Sequence, residues 1–158
     1  TRNEFFKGKA DWAAVRAVRD AITIPLIVNG DILGVADAQA AMAASGADGV
    51  MIGRGAYGAP WLPGRVGAAL ATGIDPGPPP LMEQSVIART HYDAMLVEYG
   101  RALGLRNARK HVGWYLETSG RAVGDVKRWR SVLCRDEEPA RVLDGLRAFY
   151  DETAEMAA

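Results

Sequence analysis

Apolar and polar residues in the first part of the chain follow first a helical and then a strand-like pattern. In residues 11–21, Trp12, Val15 and Val18 recur at helical spacing with charged residues between them, which predicts an amphipathic helix. Residues 22–28 are almost entirely apolar and rich in β-branched side chains. Such a composition is typical of a buried parallel strand, so we expect a strand covered by helices.

A second helix and a second strand follow in the same order. Asp37 is placed to cap a helix through residues 38–44, and Gly46 fits the position just after its end. Residues 49–52 are a short apolar stretch that predicts another strand. A strand, a crossover helix and a strand make one βαβ unit, so we expect the two strands to be parallel neighbours.

The remainder of the chain shows only helical patterns. A helix of small residues at 66–71 leads into residues 72–80, which hold four prolines and two glycines. Such a stretch cannot continue a helix or a central strand. It predicts a first domain over residues 1–74, a linker over 75–80 and a second domain over 81–158. Helices are predicted in the second domain at 81–99, 105–118, 123–134 and 137–153, which suggests a bundle.

The charge of the chain is balanced overall but unevenly distributed. Its 158 residues contain 19 basic and 19 acidic side chains, yet residues 101–135 hold nine basic and two acidic ones, a net charge of +7. Residues 136–158 have a net charge of −5. A single cysteine and two histidines make a disulfide framework or a metal site an unfavourable interpretation. No apolar stretch is long enough to predict a membrane span.

Two glycine-containing turns follow the two predicted strands. Residues 29–31 (Asn-Gly-Asp) come after the first strand, and residues 53–55 (Gly-Arg-Gly) come after the second. Parallel strands end at one edge of a sheet, where glycines let backbone N–H groups approach an anion and Arg54 can bind phosphate oxygens. The alternative is that the glycines only form turns and Arg54 is a solvated charge. The occurrence of both turns on one βαβ unit favours a phosphate site.

A basic face is predicted on the helix over residues 105–118 and on the helix after it. At 100° per residue, the cations of the first helix lie on one side and the apolar residues on another. Such a face suits an RNA backbone, because phosphate neutralisation supplies most of the affinity. A solvated helix face, paired in part with the acidic last helix, is the alternative. The candidate RNA-contacting residues are Arg106, Arg109, Lys110, His111, Lys127, Arg128 and Arg130.

Several stretches resemble the bacterial tRNA-dihydrouridine synthases. Residues 24–32 (IPLIVNGDI) and 46–56 (GADGVMIGRGA), followed by residues 60–61 (Pro-Trp), are similar to the end of that family's barrel. Residues 108–116 (ARKHVGWYL) resemble its helical-domain signature, particularly that of the B-type branch. Residues 1–2 (Thr-Arg) match the tail of a Gly-Arg-Thr-Arg segment after barrel strand 6. The resemblance covers nearly the whole chain, with its motifs in order.

The resemblance implies a cytoplasmic, FMN-dependent oxidoreductase that reduces uridine to 5,6-dihydrouridine in tRNA, with NADPH as the reductant. The implied fold is α/β and then all-α: the last βαβ unit of a (β/α)₈ TIM barrel followed by a C-terminal helical bundle that binds tRNA, mostly helical overall. In the family, the asparagine of the Asn-Gly-Asp turn lies near the flavin and the Gly-Arg pair holds the FMN phosphate. The cofactor-binding residues implied here are Asn29, Gly30, Asp31, Gly53 and Arg54.

The catalytic cysteine of that family has no counterpart in this chain. In the family it lies in the first two-thirds of the protein, whereas Cys134 falls in the predicted helical domain. We therefore expect a C-terminal portion that carries no catalytic residue and is inactive alone. Two alternatives are the end of another FMN- or phosphate-binding TIM-barrel oxidoreductase and a stand-alone RNA-binding helical module. Residues 81–158 disfavour the first alternative, because such barrels need no appended basic bundle.

Overall fold

A computed structural model of the chain describes residues 8–151. These residues separate into two compact units. The first contains residues 8–56 and 60–78, and the second contains residues 57–59 and 79–151. The sequence features at residues 1–2 and at 152–153 lie outside the described residues.

The first unit combines a two-stranded parallel sheet with three α-helices and two short 3₁₀ turns. β1 pairs in parallel with β2, and Asn29 lies opposite Met51 in the register, which confirms the predicted pairing of parallel neighbours. The elements in chain order are the turn Ala13–Val15, α1 (Arg16–Ala21), β1 (Ile27–Asn29), α2 (Val35–Ser45), β2 (Gly49–Met51), the turn Arg54–Ala56 and α3 (Leu62–Thr72).

β1 is shorter and less buried than the apolar pattern predicts. The strand begins at Ile27 rather than at residue 22, and just before it the backbone N–H of Leu26 donates to the side chain of Asp48, to Oδ2 at 2.9 Å. Val28 is 2% exposed but Ile27 is 55% exposed. Side chains alternate across a strand, so the face of β1 that carries Val28 is covered and the face that carries Ile27 is not. The prediction of a strand buried on both faces is therefore wrong for the described residues.

The helices of the first unit differ from the predicted bounds mainly at their starts. Gly34, and not Asp37, is the N-cap of α2, and Asp37 lies in the first turn, where its Oδ2 accepts the Leu33 N–H at 3.0 Å. Gly46 ends α2 with φ +70, which confirms its predicted position. α3 begins four residues before the predicted start at residue 66, with a proline in its first turn.

The second unit is a helical bundle of α4 (Leu81–Thr118), α5 (Val123–Leu133) and α6 (Pro139–Asp151). α4 breaks at Gly100, which has φ +70 and ψ 167. The sequence predicts a wider break that includes Gly104, but Gly104 is helical and buried. A Cβ there would lie 2.8 Å from the carbonyl oxygen of Met95, so Gly104 allows the two halves of α4 to approach closely.

The core of this unit lies between α6 and the second half of α4. The hydroxyl of Tyr150 donates to the backbone carbonyl of Tyr115 at 3.1 Å, which satisfies a buried polar group. No helix within residues 8–151 is both long and apolar enough to cross a membrane. The fully buried residues of this core are Ala108, Val112, Tyr115 and Leu116 from α4, Leu133 from α5, and Val142, Leu146, Phe149 and Tyr150 from α6.

Candidate functional site

The two glycine turns of the first unit lie together at the carboxyl edge of the sheet. The amide of Asn29, at the end of β1, donates to Met51 Sδ at 3.6 Å at the end of β2. A Cβ added to Gly55 would collide with the backbone carbonyl oxygen of Ile32. The loops that follow the two strands therefore approach each other closely, with the backbone of Gly55 against that of Ile32.

The loop after β1 is held by the segment that precedes α1. The carboxylate of Asp31 accepts the backbone N–H of Ala10 at 2.7 Å, and the indole of Trp12 donates to the carbonyl of Gly30 at 2.8 Å. Gly30 has φ +107, and a Cβ there would lie 2.6 Å from the Ala10 side chain. Asp31, at φ +53, takes an uncommon conformation for a residue with a side chain. Asp31 and Gly30 thus shape the loop.

The loop after β2 leaves room for a ligand. A Cβ at Gly53 would meet no atom within 4 Å, and Arg54 is exposed. The carbonyl of Gly53 accepts the N–H of Ala56 at 3.0 Å, which closes the 3₁₀ turn. Open glycine backbone beside an exposed guanidinium matches the needs of a phosphate group. The residues present therefore fit the phosphate of a nucleotide-type cofactor.

Part of the basic charge in the second unit is neutralised by ion pairs. Exposed pairs of this kind contribute about 0–1 kcal/mol each, so they hold side chains in place more than they stabilise the unit. The interpretation of a charge-paired helix face therefore accounts for some of the candidate residues. The pairs are Arg109 with Glu137 at 3.0 Å, Arg128 with Asp125 at 3.3 Å, Arg101 with Glu138 at 3.1 Å, and Arg130 with Glu117.

Three of the candidate cations form no ion pair within the described part of the chain. They are Arg106 and Lys110 on α4 and Lys127 on α5, and all three are exposed. Gly113 lies on the same face of α4 as Arg106 and Lys110. The guanidinium of Arg130 lies over Gly113, with its Nε 3.6 Å from the place of a Cβ. α5 thus brings Arg130 to the basic face of α4.

His111 lies in an aromatic cluster and does not belong to the exposed charge. Its ring centroid is 4.8 Å from that of His91 and 5.0 Å from that of Trp114. Burial lowers the pKa of His111, and the neighbouring His91 and Lys110 lower it further. Burial also lowers the pKa of His91, whose Nδ1 lies 3.0 Å from the hydroxyl of Tyr115. Both rings are therefore mainly neutral at pH 7.

The two lowered histidine pKa values predict that the second unit loses stability in mild acid. Below the ordinary histidine pKa of about 6.5, the unfolded chain binds protons that the folded unit binds less readily, so the free energy of unfolding falls as pH falls. We expect a lower thermal midpoint at pH 5.5 than at pH 7.5. The double substitution His91→Gln/His111→Gln should make this difference smaller. If the difference in thermal midpoint between the two pH values is unchanged in the double variant, groups other than these histidines cause the pH dependence.

Residues 57–59 carry contacts that the sequence patterns do not indicate. Tyr57 stacks on Trp114, with ring centroids 4.2 Å apart and planes at 13°. The hydroxyl of Thr118 donates to the carbonyl of Gly58 at 2.6 Å. The signal in the sequence is an aromatic residue two positions after the Gly-Arg-Gly turn, and it does not identify the helix that the residue contacts.

The single cysteine is placed as a packing residue. Cys134 is half-buried, and its thiol donates to the backbone carbonyl of Arg109 at 3.5 Å. Burial raises its pKa, which makes it a poor nucleophile. Within residues 8–151, no group of three or more histidine, cysteine, aspartate or glutamate side chains is arranged to hold a metal ion.

Comparison with known proteins shows similarity over almost the entire chain. The family model "Dihydrouridine synthase (Dus)" matches residues 1–154. The probable tRNA-dihydrouridine synthase of Rhodobacter capsulatus is 45% identical over 152 residues, which are 96% of this chain and 45% of that protein. The corresponding protein of Rickettsia conorii is 41% identical over 155 residues, 98% of this chain and 46% of its own length. The tRNA-dihydrouridine synthase B of Xanthomonas axonopodis pv. citri is 36% identical over 151 residues, which are 96% of this chain and 44% of that protein.

The chain therefore belongs to the dihydrouridine synthase family, which confirms the family predicted from the motifs. A relative named as a B-type enzyme agrees with the predicted branch. The chain spans less than half the length of the relatives that it matches. Membership in this family also disfavours the alternative that the chain is the end of another phosphate-binding TIM-barrel oxidoreductase.

Proposed function

We propose that this chain is the C-terminal part of an FMN-dependent tRNA-dihydrouridine synthase, which reduces uridine to 5,6-dihydrouridine in tRNA with NADPH. The names of the relatives support the reaction and its RNA substrate. The observation that carries the cofactor assignment is the open backbone at Gly53 beside Arg54, on the same sheet edge as Asn29. In this proposal, β1 and β2 are the last strands of a (β/α)₈ barrel.

Each residue of this edge has a distinct part in holding the cofactor. Gly53 and Arg54 bind the phosphate through backbone N–H groups and the guanidinium. Asn29 offers an exposed amide at the neighbouring strand end, and Gly30 and Asp31 keep that loop in place. When bound, FMN supplies the hydride-transfer chemistry.

The acid that completes the reduction is not assigned to this chain. Cys134 is half-buried, burial raises its pKa, and its thiol donates a hydrogen bond to the backbone carbonyl of Arg109. We place the catalytic cysteine in the remainder of the longer protein, and the 158-residue chain is inactive alone. A stand-alone RNA-binding module is the alternative, and flavin binding by the longer protein distinguishes the two.

The second unit binds tRNA mainly through phosphate contacts from exposed cations. Arg106 and Lys110 lie on one face of α4, Arg130 lies over the same face, and Lys127 is exposed on α5. Such cations neutralise phosphates without reading bases, so the fold of the RNA decides the fit. Arg109 and Arg130 contribute less, because their guanidinium groups are paired with Glu137 and Glu117.

Reversing two unpaired cations is expected to weaken tRNA binding and to change its salt dependence. For Lys110→Glu/Lys127→Glu, the slope of log K against log salt should become shallower by about 1.4–1.8, since each lost phosphate contact removes about 0.7–0.9. The measurement is filter binding of an unmodified tRNA transcript across a salt series, with circular dichroism as the folding control.

A matched control separates contacts from net charge. Arg141→Glu/Arg147→Glu makes the same change in charge on α6. Both arginines are exposed, and they are paired with Asp136 and Asp151. We expect the control to weaken binding less and to keep the wild-type slope. Equal slopes for the wild type and both double variants would show that Lys110 on α4 and Lys127 on α5 do not contact the tRNA.

A further inference from the structure

Tyr57 holds an aromatic ring at the surface of the second unit. One face of the ring is covered by Trp114 at a centroid distance of 4.2 Å, and the edge of His111 lies 6.5 Å away. Tyr57 is nevertheless 45% exposed. Because stacked rings exclude solvent between them, the exposed area lies away from Trp114.

The backbone beside Tyr57 is fixed as well. The carbonyl of Gly58 accepts the Thr118 hydroxyl at 2.6 Å, and Gly58 is buried with φ +71. A Cβ on Gly58 would collide with the carbonyl oxygen of Trp114, so this contact requires glycine. Tyr57 is therefore positioned before any ligand binds, and a ligand that stacks on it loses little affinity to ordering the protein.

Cations lie on the helix that supports the ring. Lys110 is one helical turn before Trp114 on α4 and is exposed, and Arg106 is one turn further back. A fixed aromatic ring beside exposed cations is the combination that binds unpaired nucleotides, because bases stack on the ring while phosphates meet the cations. Charge therefore favours RNA as the occupant of this surface.

We propose that Tyr57 is a stacking platform for an unpaired base of the bound RNA. Lys110 contacts a neighbouring phosphate. This proposal rests on the proposed function, since it takes the second unit to be the tRNA-binding part. Every base has a face that can stack, so the platform selects unpaired nucleotides over paired ones and does not select a base sequence.

The test compares two RNAs with the 158-residue chain. Tyr57→Ala should weaken binding of an unmodified tRNA transcript by about 5- to 150-fold, the change that corresponds to about 1–3 kcal/mol for one stacked base. Affinity for a fully paired RNA duplex with the same number of phosphates should not change. Tyr57→Phe should keep wild-type affinity. Tyr57→Leu, which retains an apolar side chain but no ring, should behave like Tyr57→Ala.

The matched control is Tyr99→Ala, which removes a ring that is 51% exposed on the same unit and should leave both affinities unchanged. Thermal melting followed by circular dichroism identifies any variant that is unfolded at the assay temperature. Equal tRNA affinity of the wild type and Tyr57→Leu would overturn the stacking proposal. It would also be overturned if Tyr57→Ala weakened binding of the tRNA and of the paired duplex equally. Lys110 belongs to both proposals, so the two are distinguished by Tyr57: a changed salt slope for Lys110→Glu/Lys127→Glu together with unchanged tRNA affinity for Tyr57→Leu would overturn the platform and leave the proposed function standing.

Discussion

Replacing Phe149 with alanine is expected to lower the free energy of unfolding of the second unit by about 3–5 kcal/mol, the usual cost of removing a buried aromatic side chain. Phe149 is 0% exposed. Its ring lies in T-shaped contact with the rings of Trp129 and Tyr150, at centroid distances of 6.3 and 5.0 Å, and the guanidinium of Arg121 lies 5.2 Å from its centre. A cavity at this position removes packing from α5 and α6 together.

Urea denaturation followed by far-ultraviolet circular dichroism measures this loss. Val97→Ala is the control, because Val97 is 86% exposed on α4 and substitutions at such positions change stability by about 0.5 kcal/mol or less. A loss below about 1 kcal/mol for Phe149→Ala would show that the core between α4 and α6 is not what holds this unit together.

Arg54→Ala is expected to weaken FMN binding about 10- to 150-fold in the longer protein that we propose, since a charge-assisted hydrogen bond contributes about 1.5–3 kcal/mol. Arg54 is exposed on the turn after β2, so its removal should change the free energy of unfolding of the flavin-free protein by no more than about 1 kcal/mol. Titration of FMN fluorescence with the protein measures the affinity.

Two glycine variants make the flavin result specific to the loop. Gly53→Ala places a methyl group where no protein atom lies within 4 Å, so it should weaken FMN binding without lowering stability. Gly55→Ala forces a clash with the carbonyl of Ile32 and should lower both the FMN affinity and the stability of the protein. FMN affinity within twofold of wild type for Arg54→Ala and Gly53→Ala would contradict the phosphate site.

Local patterns in the sequence were enough to predict most elements and the family. The apolar stretches at 22–28 and 49–52, with a helix between them, led to parallel strands because βαβ connections follow few topologies. Gly46 could be placed after α2 because a left-handed helix end favours glycine. The two glycine turns could be assigned to one edge for the same topological reason. Such inferences need only neighbouring residues and the handedness of the chain.

Contacts between distant residues were decided only in the tertiary structure. Apolar composition alone cannot show which face of β1 is covered: Val28 is buried and Ile27 is exposed. Helical spacing placed Arg109 with the free cations, but its partner Glu137 is 28 residues away.

The same holds for the surface that we assign to RNA. Tyr57 follows the Gly-Arg-Gly turn in sequence, yet it packs on Trp114, which is 57 positions further along the chain. The sequence by itself determined the order of elements and the family, and it predicted a phosphate site, because these inferences depend on local propensity and motif. Which charges are paired, which rings are exposed and which glycines lie against a carbonyl depend on packing between segments, and packing exists only in the folded chain.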